Sequence, residues 1–141
     1  MIDKSLVERK IDIILENMKY LQDVREIQEE NFFASFEKIQ ASKHSLQEAI
    51  EACIDIANHI IASMDFKRAE TYADMFERLA ENRIIGQELK EKLMNMAKFR
   101  NLLVHAYGKV DVKRLWKILQ EDLQDILSFV REIEKYLEKN E

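Results

Sequence analysis

An arginine, a histidine and a tyrosine in the C-terminal half have the types and spacing that chemistry at a phosphate group requires. Residues 100 to 107 read Arg-Asn-Leu-Leu-Val-His-Ala-Tyr, which places Arg100, His105 and Tyr107 in an Arg-x4-His-x-Tyr pattern. The planar guanidinium of an arginine binds phosphate oxygens through its N–H donors. A histidine titrates near neutral pH and can accept or donate a proton. The pattern therefore predicts proton transfer at a bound phosphate.

The same segment predicts how these side chains lie on a helix. Leu89, Leu93 and Met96 recur at helical spacing and form an apolar stripe, which position 100 continues with an arginine. An arginine on a buried stripe needs a carboxylate partner or a cleft that accepts anions, because an unpaired buried charge is costly. On a helix, Arg100 and His105 are about 7.5 Å apart along the axis and about 140° apart around it. Both side chains could therefore border one groove that holds a phosphate.

Asn101 lies one helical turn before His105 on the same face of this helix. Its amide could hold the phosphate or orient the histidine, and the sequence leaves both roles open. Taken singly, Arg100 would be a paired interface arginine, His105 a helix-terminal histidine and Tyr107 a buried ring. Their occurrence together at this spacing favours the functional interpretation.

The composition predicts an all-α scaffold. The chain has 141 residues, of which 47% are hydrophobic and 35% are charged, with no proline and only two glycines. This balance favours long helices over strands and tight turns. The length suits a single domain spanning residues 1–141 with one hydrophobic core.

Apolar residues at spacings of three and four predict five helices around that core. We expect four long helices and one short one in an up-and-down bundle. The last helix is expected to run unbroken as far as Leu137, and the aromatic stretch of residues 31–35 is expected to lie outside the helices. The helices are expected to begin after Asp3, before Leu46, after Thr71, near Gln87 and after Asp111.

The charge is distributed unevenly along the chain. The net charge is −5, but residues 90–117 contain eight basic and two acidic side chains, a local charge of +6, so the rest carries −11. A basic segment in an acidic chain is typical of a local phosphate-binding site, although solvated helix faces also carry such residues. The basic side chains are Lys90, Lys92, Lys98, Arg100, Lys109, Lys113, Arg114 and Lys117.

Several features predict a cytoplasmic protein. The longest apolar runs are far shorter than the roughly 20 residues that span a bilayer. The N-terminal residues are charged and lack the apolar stretch of a secretory signal, so we expect neither export nor a membrane partner. Cys53 is the single cysteine, which excludes an intrachain disulfide and fits a reducing compartment.

The Arg-x4-His-x-Tyr pattern and the segment Asp-Ile-Ala-Asn-His-Ile-Ile at residues 55–61 resemble the HepT-like family of HEPN domains. The order of the helices also agrees, so the resemblance covers most of the chain. It implies a HEPN-like bundle that forms a homodimer, with two copies of the pattern facing one cleft. It further implies a metal-independent endoribonuclease without a cofactor, acting as a toxin.

The resemblance also implies roles for individual residues. His105 would take the proton of a ribose 2′-hydroxyl or give one to the leaving 5′-oxygen, while Arg100 stabilises charge on the phosphorane. Asn101 joins them as the third catalytic residue, and the product would carry a 2′,3′-cyclic phosphate. Tyr107 would receive AMP from a minimal nucleotidyltransferase antitoxin, which adds a bulky anion beside the site. The residues expected to contact RNA are Lys98, Lys109, Lys113 and Arg114.

Other interpretations bear on function. A di-metal carboxylate bundle requires Glu-x-x-His pairs, and no glutamate lies three residues before any histidine of this chain, so that class is excluded. A non-catalytic dimeric helical protein, serving only as partner or substrate of the nucleotidyltransferase, stays open. Asp55, Asn58 and His59 could form a ligand set, but a polar network between helices is the commoner case. Trp116 could stack on a base or lie buried in an interface.

Overall fold

The computed structural model describes residues 1–106 and 110–140. This part of the chain contains seven helices and no strand, which confirms the all-α prediction. None of these seven helices combines the length and the apolarity that a bilayer span requires. The helices are α1 (Lys4–Arg25), α2 (Glu29–Phe33), α3 (Phe36–Ser63), α4 (Tyr72–Glu81), α5 (Gln87–His105), α6 (Val112–Glu121) and α7 (Leu123–Lys139).

Short polar side chains begin four of these helices. Each accepts a hydrogen bond from a backbone N–H of the first turn, which would otherwise have no partner within the helix. The helix starts predicted after Asp3, Thr71 and Asp111 are confirmed at α1, α4 and α6, and α3 begins one residue after Ser35. The four capping residues are Asp3, Ser35, Thr71 and Asp111.

One hydrophobic core fixes the position of α5, the helix that carries the motif. Helix α1 packs along α3, whereas α5 packs against α4, α3 and α7. Phe76 of α4 and Phe129 of α7 meet edge to face, with their ring centroids 5.7 Å apart. Phe99 and Leu93 of α5 are fully buried in the same core. The C-terminal turn of α5 therefore extends from a rigidly packed helix.

The sequence predicts five helices, four long and one short, whereas the described residues form seven. The expected last helix is broken at Asp122, which ends α6 and precedes α7. No proline or glycine marks this break, and buried Leu119 and Leu123 continue the apolar pattern across it. The aromatic stretch before residue 36 contributes to a five-residue helix, α2. The helix that carries the motif ends at His105 instead of reaching Gly108, which lies outside the described residues.

Polar contacts connect α3 to α1 and its cap. The Asp55 carboxylate lies 2.9 Å from the Lys10 ammonium, and the backbone N–H of Asp3 donates to His59 Nε2 at 2.9 Å. For Asp55 and His59 these contacts agree with the interpretation as a polar network between helices, whereas Asn58 borders the same cleft as Arg100. In residues 1–106 and 110–140, no group of three or more histidine, cysteine, aspartate or glutamate side chains could hold a metal ion.

Trp116 joins α6 to the short helix α2. Its ring lies 4.8 Å from the ring of Phe32 and 6.1 Å from that of Phe33, measured between centroids. Phe32 is fully buried, so the tryptophan closes the core where α2 and α6 meet. The structural interpretation of Trp116 is therefore confirmed.

Candidate active site

Arg100 lies on the side of α5 that faces α3 and α4, where its side chain is only 16% exposed. Its Nε and Nη2 atoms donate to Glu51 Oε2 of α3 at 2.9 Å and 2.6 Å. The predicted need for a carboxylate partner on the apolar stripe is thus met. Two charge-assisted hydrogen bonds to one oxygen fix the plane of the guanidinium and compensate much of its desolvation.

Three further groups surround this ion pair. Arg100 Nη1 donates to Asn101 Oδ1 at 3.2 Å, and the Tyr72 ring lies 5.1 Å from the guanidinium carbon. Gln47 adds a third donor to Glu51 Oε2, at 3.3 Å. Three of the five N–H donors of Arg100 are therefore engaged, which leaves two for another acceptor. A cleft of about 310 Å³, bordered by Arg100, Glu51 and Tyr72, adjoins them.

His105 and Asn101 share the exposed face of α5, as the sequence predicts. His105 is the last residue of the helix, and it makes no hydrogen bond to any residue of the ranges 1–106 and 110–140. The structure thus brings Arg100 and Asn101 into contact and leaves the histidine free at the helix end. Its imidazole therefore has no hydrogen bond to the described residues that would have to break before it transfers a proton.

The basic residues of the segment 90–117 fall into two groups. Lys90 is buried between Glu91 at 3.1 Å and Glu77 at 3.3 Å, and these carboxylates raise its pKa, the Glu91 contact contributing most. Lys90 and Arg100 therefore serve internal ion pairs. Three of the four residues expected to contact RNA are exposed, namely Lys98, Lys113 and Arg114. Lys109 and Tyr107 lie outside the described residues.

Glu51 is the functional residue that the sequence did not reveal. The need for an acidic partner followed from the position of Arg100, but 27 aspartate and glutamate residues could have supplied it. The available signal is weak: Glu51 borders the apolar stripe of α3 beside Ile50 and Ile54. Only the packing of α5 against α3 singles it out.

A helical bundle that presents an arginine, an asparagine and a histidine at the end of one helix is the architecture that the sequence resemblance implies. Residues 3–133 match the model of the family described as "Ribonuclease HepT-like". Because this match covers most of the chain, the chain belongs to that family. The expected HEPN-type fold and the ribonuclease class are thereby confirmed.

Three known proteins illustrate the similarity. The tRNA nuclease HepT of Aphanizomenon flos-aquae is 26% identical over 136 residues, covering 96% of this chain and 92% of the relative. The mRNA nuclease HepT of Shewanella oneidensis is 36% identical over 86 residues, covering 61% of this chain and 65% of the relative. The solved structure of the tri-AMPylated Shewanella oneidensis HEPN toxin in complex with MNT antitoxin has a TM-score of 0.86 at 30% identity. This similarity covers 96% of our chain and 99% of the toxin chain.

Proposed function

We propose that this chain is a metal-independent endoribonuclease that acts as the toxin of a toxin–antitoxin pair. The observation that carries the proposal is the end of α5, where Glu51 fixes Arg100 while His105 stays exposed. Relatives named tRNA nuclease and mRNA nuclease support RNA as the substrate class. A cation fixed by a carboxylate and an exposed imidazole on the same helix would supply charge stabilisation and proton transfer without a metal ion.

The reaction we propose is an intramolecular attack. The ribose 2′-oxygen bonds to the adjacent phosphorus and the bond from phosphorus to the 5′-oxygen breaks, which leaves a 2′,3′-cyclic phosphate and a 5′-hydroxyl. His105 accepts the 2′-hydroxyl proton or delivers one to the departing 5′-oxygen. Arg100 donates its two remaining N–H groups to the phosphorane oxygens, and Asn101 holds the phosphate or orients the histidine.

The exposed basic side chains would hold the RNA strand. Lys98 lies on the exposed surface of α5, and Lys113 and Arg114 lie in the first turn of α6. Together with Lys109 they would neutralise phosphates on both sides of the cut. These phosphate contacts would give the enzyme affinity for RNA but would not by themselves give sequence specificity.

We also propose control by AMP transfer to Tyr107. The phenolic oxygen would attack the α-phosphate of ATP, bound by a minimal nucleotidyltransferase antitoxin, and pyrophosphate would leave. The solved tri-AMPylated HEPN toxin bound to MNT antitoxin supports this partner class. Mass spectrometry should show added AMP on the wild type and none on Tyr107→Phe, whereas Tyr136→Phe should be modified normally. Modification of Tyr107→Phe would contradict this assignment.

The active form that we propose is a cytoplasmic homodimer. One arginine and one histidine make a sparse site, and the exposed face of α5 with Asn101 and His105 would bring a second copy of the motif to the same cleft. Light scattering should give twice the mass of the chain. A monomer that cleaves RNA at full rate would contradict the shared cleft.

Cleavage of a labelled RNA pool in EDTA tests the proposed function. The wild type should cut, while Arg100→Ala and His105→Ala should each lose at least about 100-fold in rate. Arg131→Ala and His44→Ala remove an exposed arginine and an exposed histidine elsewhere, and these matched controls should retain the full rate. Early products should end in a 2′,3′-cyclic phosphate.

Two outcomes would contradict the proposal. No cleavage by wild type, with mass spectrometry showing Tyr107 unmodified, would favour a non-catalytic partner or substrate of the nucleotidyltransferase. Cleavage that yields only 3′-phosphate ends from the earliest times would exclude attack by the 2′-hydroxyl. In cells, the scaffold alternative also predicts that His105→Ala is no less toxic than the wild type.

A further inference from the structure

A second cleft, of about 530 Å³, lies on the other side of α5, against α6 and the start of α7. Met96, Phe99 and Ile118 provide its apolar wall. Its polar lining contains both signs of charge, with Lys92, Arg114 and Lys117 as cations and Asp122 and Asp125 as carboxylates. None of these polar residues belongs to the Arg100 cluster described above.

Contacts within the protein fix the positions of some of these charged side chains, while others keep a charge that can bind a ligand. The Arg114 guanidinium lies over the Phe99 ring, with its central carbon 4.8 Å from the ring centroid. Asp125 is only 9% exposed and contacts Lys92 at 3.6 Å through one oxygen. In residues 1–106 and 110–140, neither the Asp122 carboxylate nor the Lys117 ammonium has a hydrogen bond or an ion pair. The cleft therefore offers an unused acceptor and an unused cation.

The presence of both cations and carboxylates in one cleft favours one class of ligand over others. A bare phosphate would be repelled by the two carboxylates, and a simple cation would be repelled by the lysines and the arginine. A nucleotide suits both the cations and the carboxylates of the cleft. Its anionic phosphate can bind the cations, and its flat base, which has apolar faces, carries N–H donors for a carboxylate. Guanine presents two adjacent N–H donors on its Watson–Crick edge, which match the two oxygens of one carboxylate.

The position of the cleft relative to the motif suits an RNA strand. Asn95, which lines the cleft, precedes His105 by ten residues, which is about 15 Å along the helix axis. A single strand covers that distance in four or five nucleotides at about 3.4 Å each. Between Asn95 and the histidine, α5 presents Lys98 and Leu102, and Leu102 is 44% exposed. A phosphate contact and an apolar contact thus lie along the path.

We propose that this cleft binds one nucleotide of the RNA substrate, with its phosphate at Arg114 and Lys117 and a guanine base at Asp122. The inference rests on the proposed ribonuclease function and adds a base preference to it. The enzyme would cut at a fixed distance, about four or five nucleotides, from a guanosine. Asp125 and Lys92 form the floor that keeps the site charged and open.

Binding of mononucleotides tests the cleft without relying on cleavage. By NMR titration, 5′-GMP should bind at least about tenfold more tightly than 5′-UMP and shift the signals of Phe99 and Asp122. Asp122→Asn should remove this preference, because an amide offers one acceptor where the carboxylate offers two. Glu121→Gln is the matched control, since it removes an adjacent exposed charge that does not line the cleft. Asp122 makes no side-chain cap bond, so its variant should fold.

Sequencing the ends produced from a random RNA pool provides the second measurement. Wild type and Glu121→Gln should show guanine enriched at one fixed offset from the cut, and Asp122→Asn should lose that enrichment while still cutting. Equal binding of 5′-GMP and 5′-UMP, or equal loss of preference in both variants, would overturn the inference. Preferential binding of 5′-GMP without any cleavage would keep the site and reject the proposed ribonuclease function.

Discussion

The two sides of α5 use charged residues in opposite ways. On the side of α3 and α4, Arg100 is nearly buried and is fixed by Glu51, Asn101 and Tyr72. On the side of α6 and α7, cations and carboxylates line an open cleft, in which Asp122 and Lys117 have no hydrogen bond or ion pair to the described residues. A fixed cation needs little reorganisation during a reaction, whereas free groups can adapt to a ligand. If the proposed function is right, this contrast separates a reacting side from a binding side on one helix.

The largest expected effect concerns the side of α5 that faces α3 and α4, where Glu51 fixes Arg100. Glu51→Ala should lower the rate of RNA cleavage by about 10- to 100-fold, because Arg100 loses the contacts that orient its guanidinium. If Glu51 acts only through Arg100, the double variant Glu51→Ala/Arg100→Ala should be no slower than Arg100→Ala alone. Single-turnover cleavage of a labelled RNA measures both rates.

A matched control separates this effect from a loss of charge on α3. Glu48→Ala removes an exposed glutamate three residues away, which pairs with His44 instead of Arg100. Its cleavage rate should equal that of the wild type. A double variant far slower than Arg100→Ala would show that Glu51 has a role of its own, and the assignment of Glu51 as a positioning residue would fail.

The second prediction concerns the stability of the same pair. Glu51→Ala should lower the free energy of unfolding by about 2 kcal/mol, because it leaves a largely buried guanidinium without its carboxylate. The double variant with Arg100→Ala should cost less than the sum of the two single variants. Urea unfolding of the four proteins gives the coupling energy. Additive losses would mean that the pair contributes no specific interaction to the fold.

The sequence predicted the helices better than it predicted their partners. Caps such as Thr71 and Asp111 are local, since a side chain bonds to the backbone of its own first turn, and both were recognised. The break at Asp122 was missed because the apolar spacing continues through it. The pairing of Glu51 with Arg100 was missed because it joins residues 49 positions apart in the chain.

The prediction of the candidate site has the same limit, since contacts between residues that are distant in the chain were missed. The types and spacing of Arg100, Asn101 and His105 predict the chemistry that we propose, because that information lies within one helix. The cleft on the opposite side of α5 combines residues of α5, α6 and α7, and among its charged residues only Arg114 was predicted from the sequence as an RNA contact. The charge count also placed Lys90 in the basic segment, although Lys90 is buried and pairs with two glutamates, so its charge is not available at the surface.

The third prediction concerns the binding side. Lys117→Gln should weaken RNA binding by a few-fold and reduce the slope of log affinity against log salt concentration by about 1. Lys135→Gln removes an exposed lysine of α7 that lies outside the cleft, and this variant should bind like the wild type. Fluorescence anisotropy at several salt concentrations measures both. Equal effects of the two substitutions would indicate a general response to net charge.

The smallest expected effect is a pH-dependent change in stability at the floor of the binding cleft. Burial raises the pKa of Asp125 above its ordinary value of 3.8, and Lys92 only partly offsets this rise. The folded state therefore binds a proton more tightly than the unfolded state does, so the ionised carboxylate destabilises the fold at neutral pH. This destabilisation disappears as the pH falls through the folded pKa towards 3.8.

Asp125→Asn replaces the ionised group with a neutral one of the same shape, and so should raise the melting temperature at pH 7 by about 3 °C. The gain should shrink as the pH falls through the folded pKa towards 3.8, because the wild-type carboxyl group then takes up its proton. Thermal unfolding followed by circular dichroism measures both, with Asp12→Asn, at an exposed position of α1, as the control. A lower melting temperature at pH 7 would show that the contact with Lys92 outweighs the cost of burial. The cleft floor would then be a stabilising ion pair, and the two sides of α5 would no longer differ in how they hold charge.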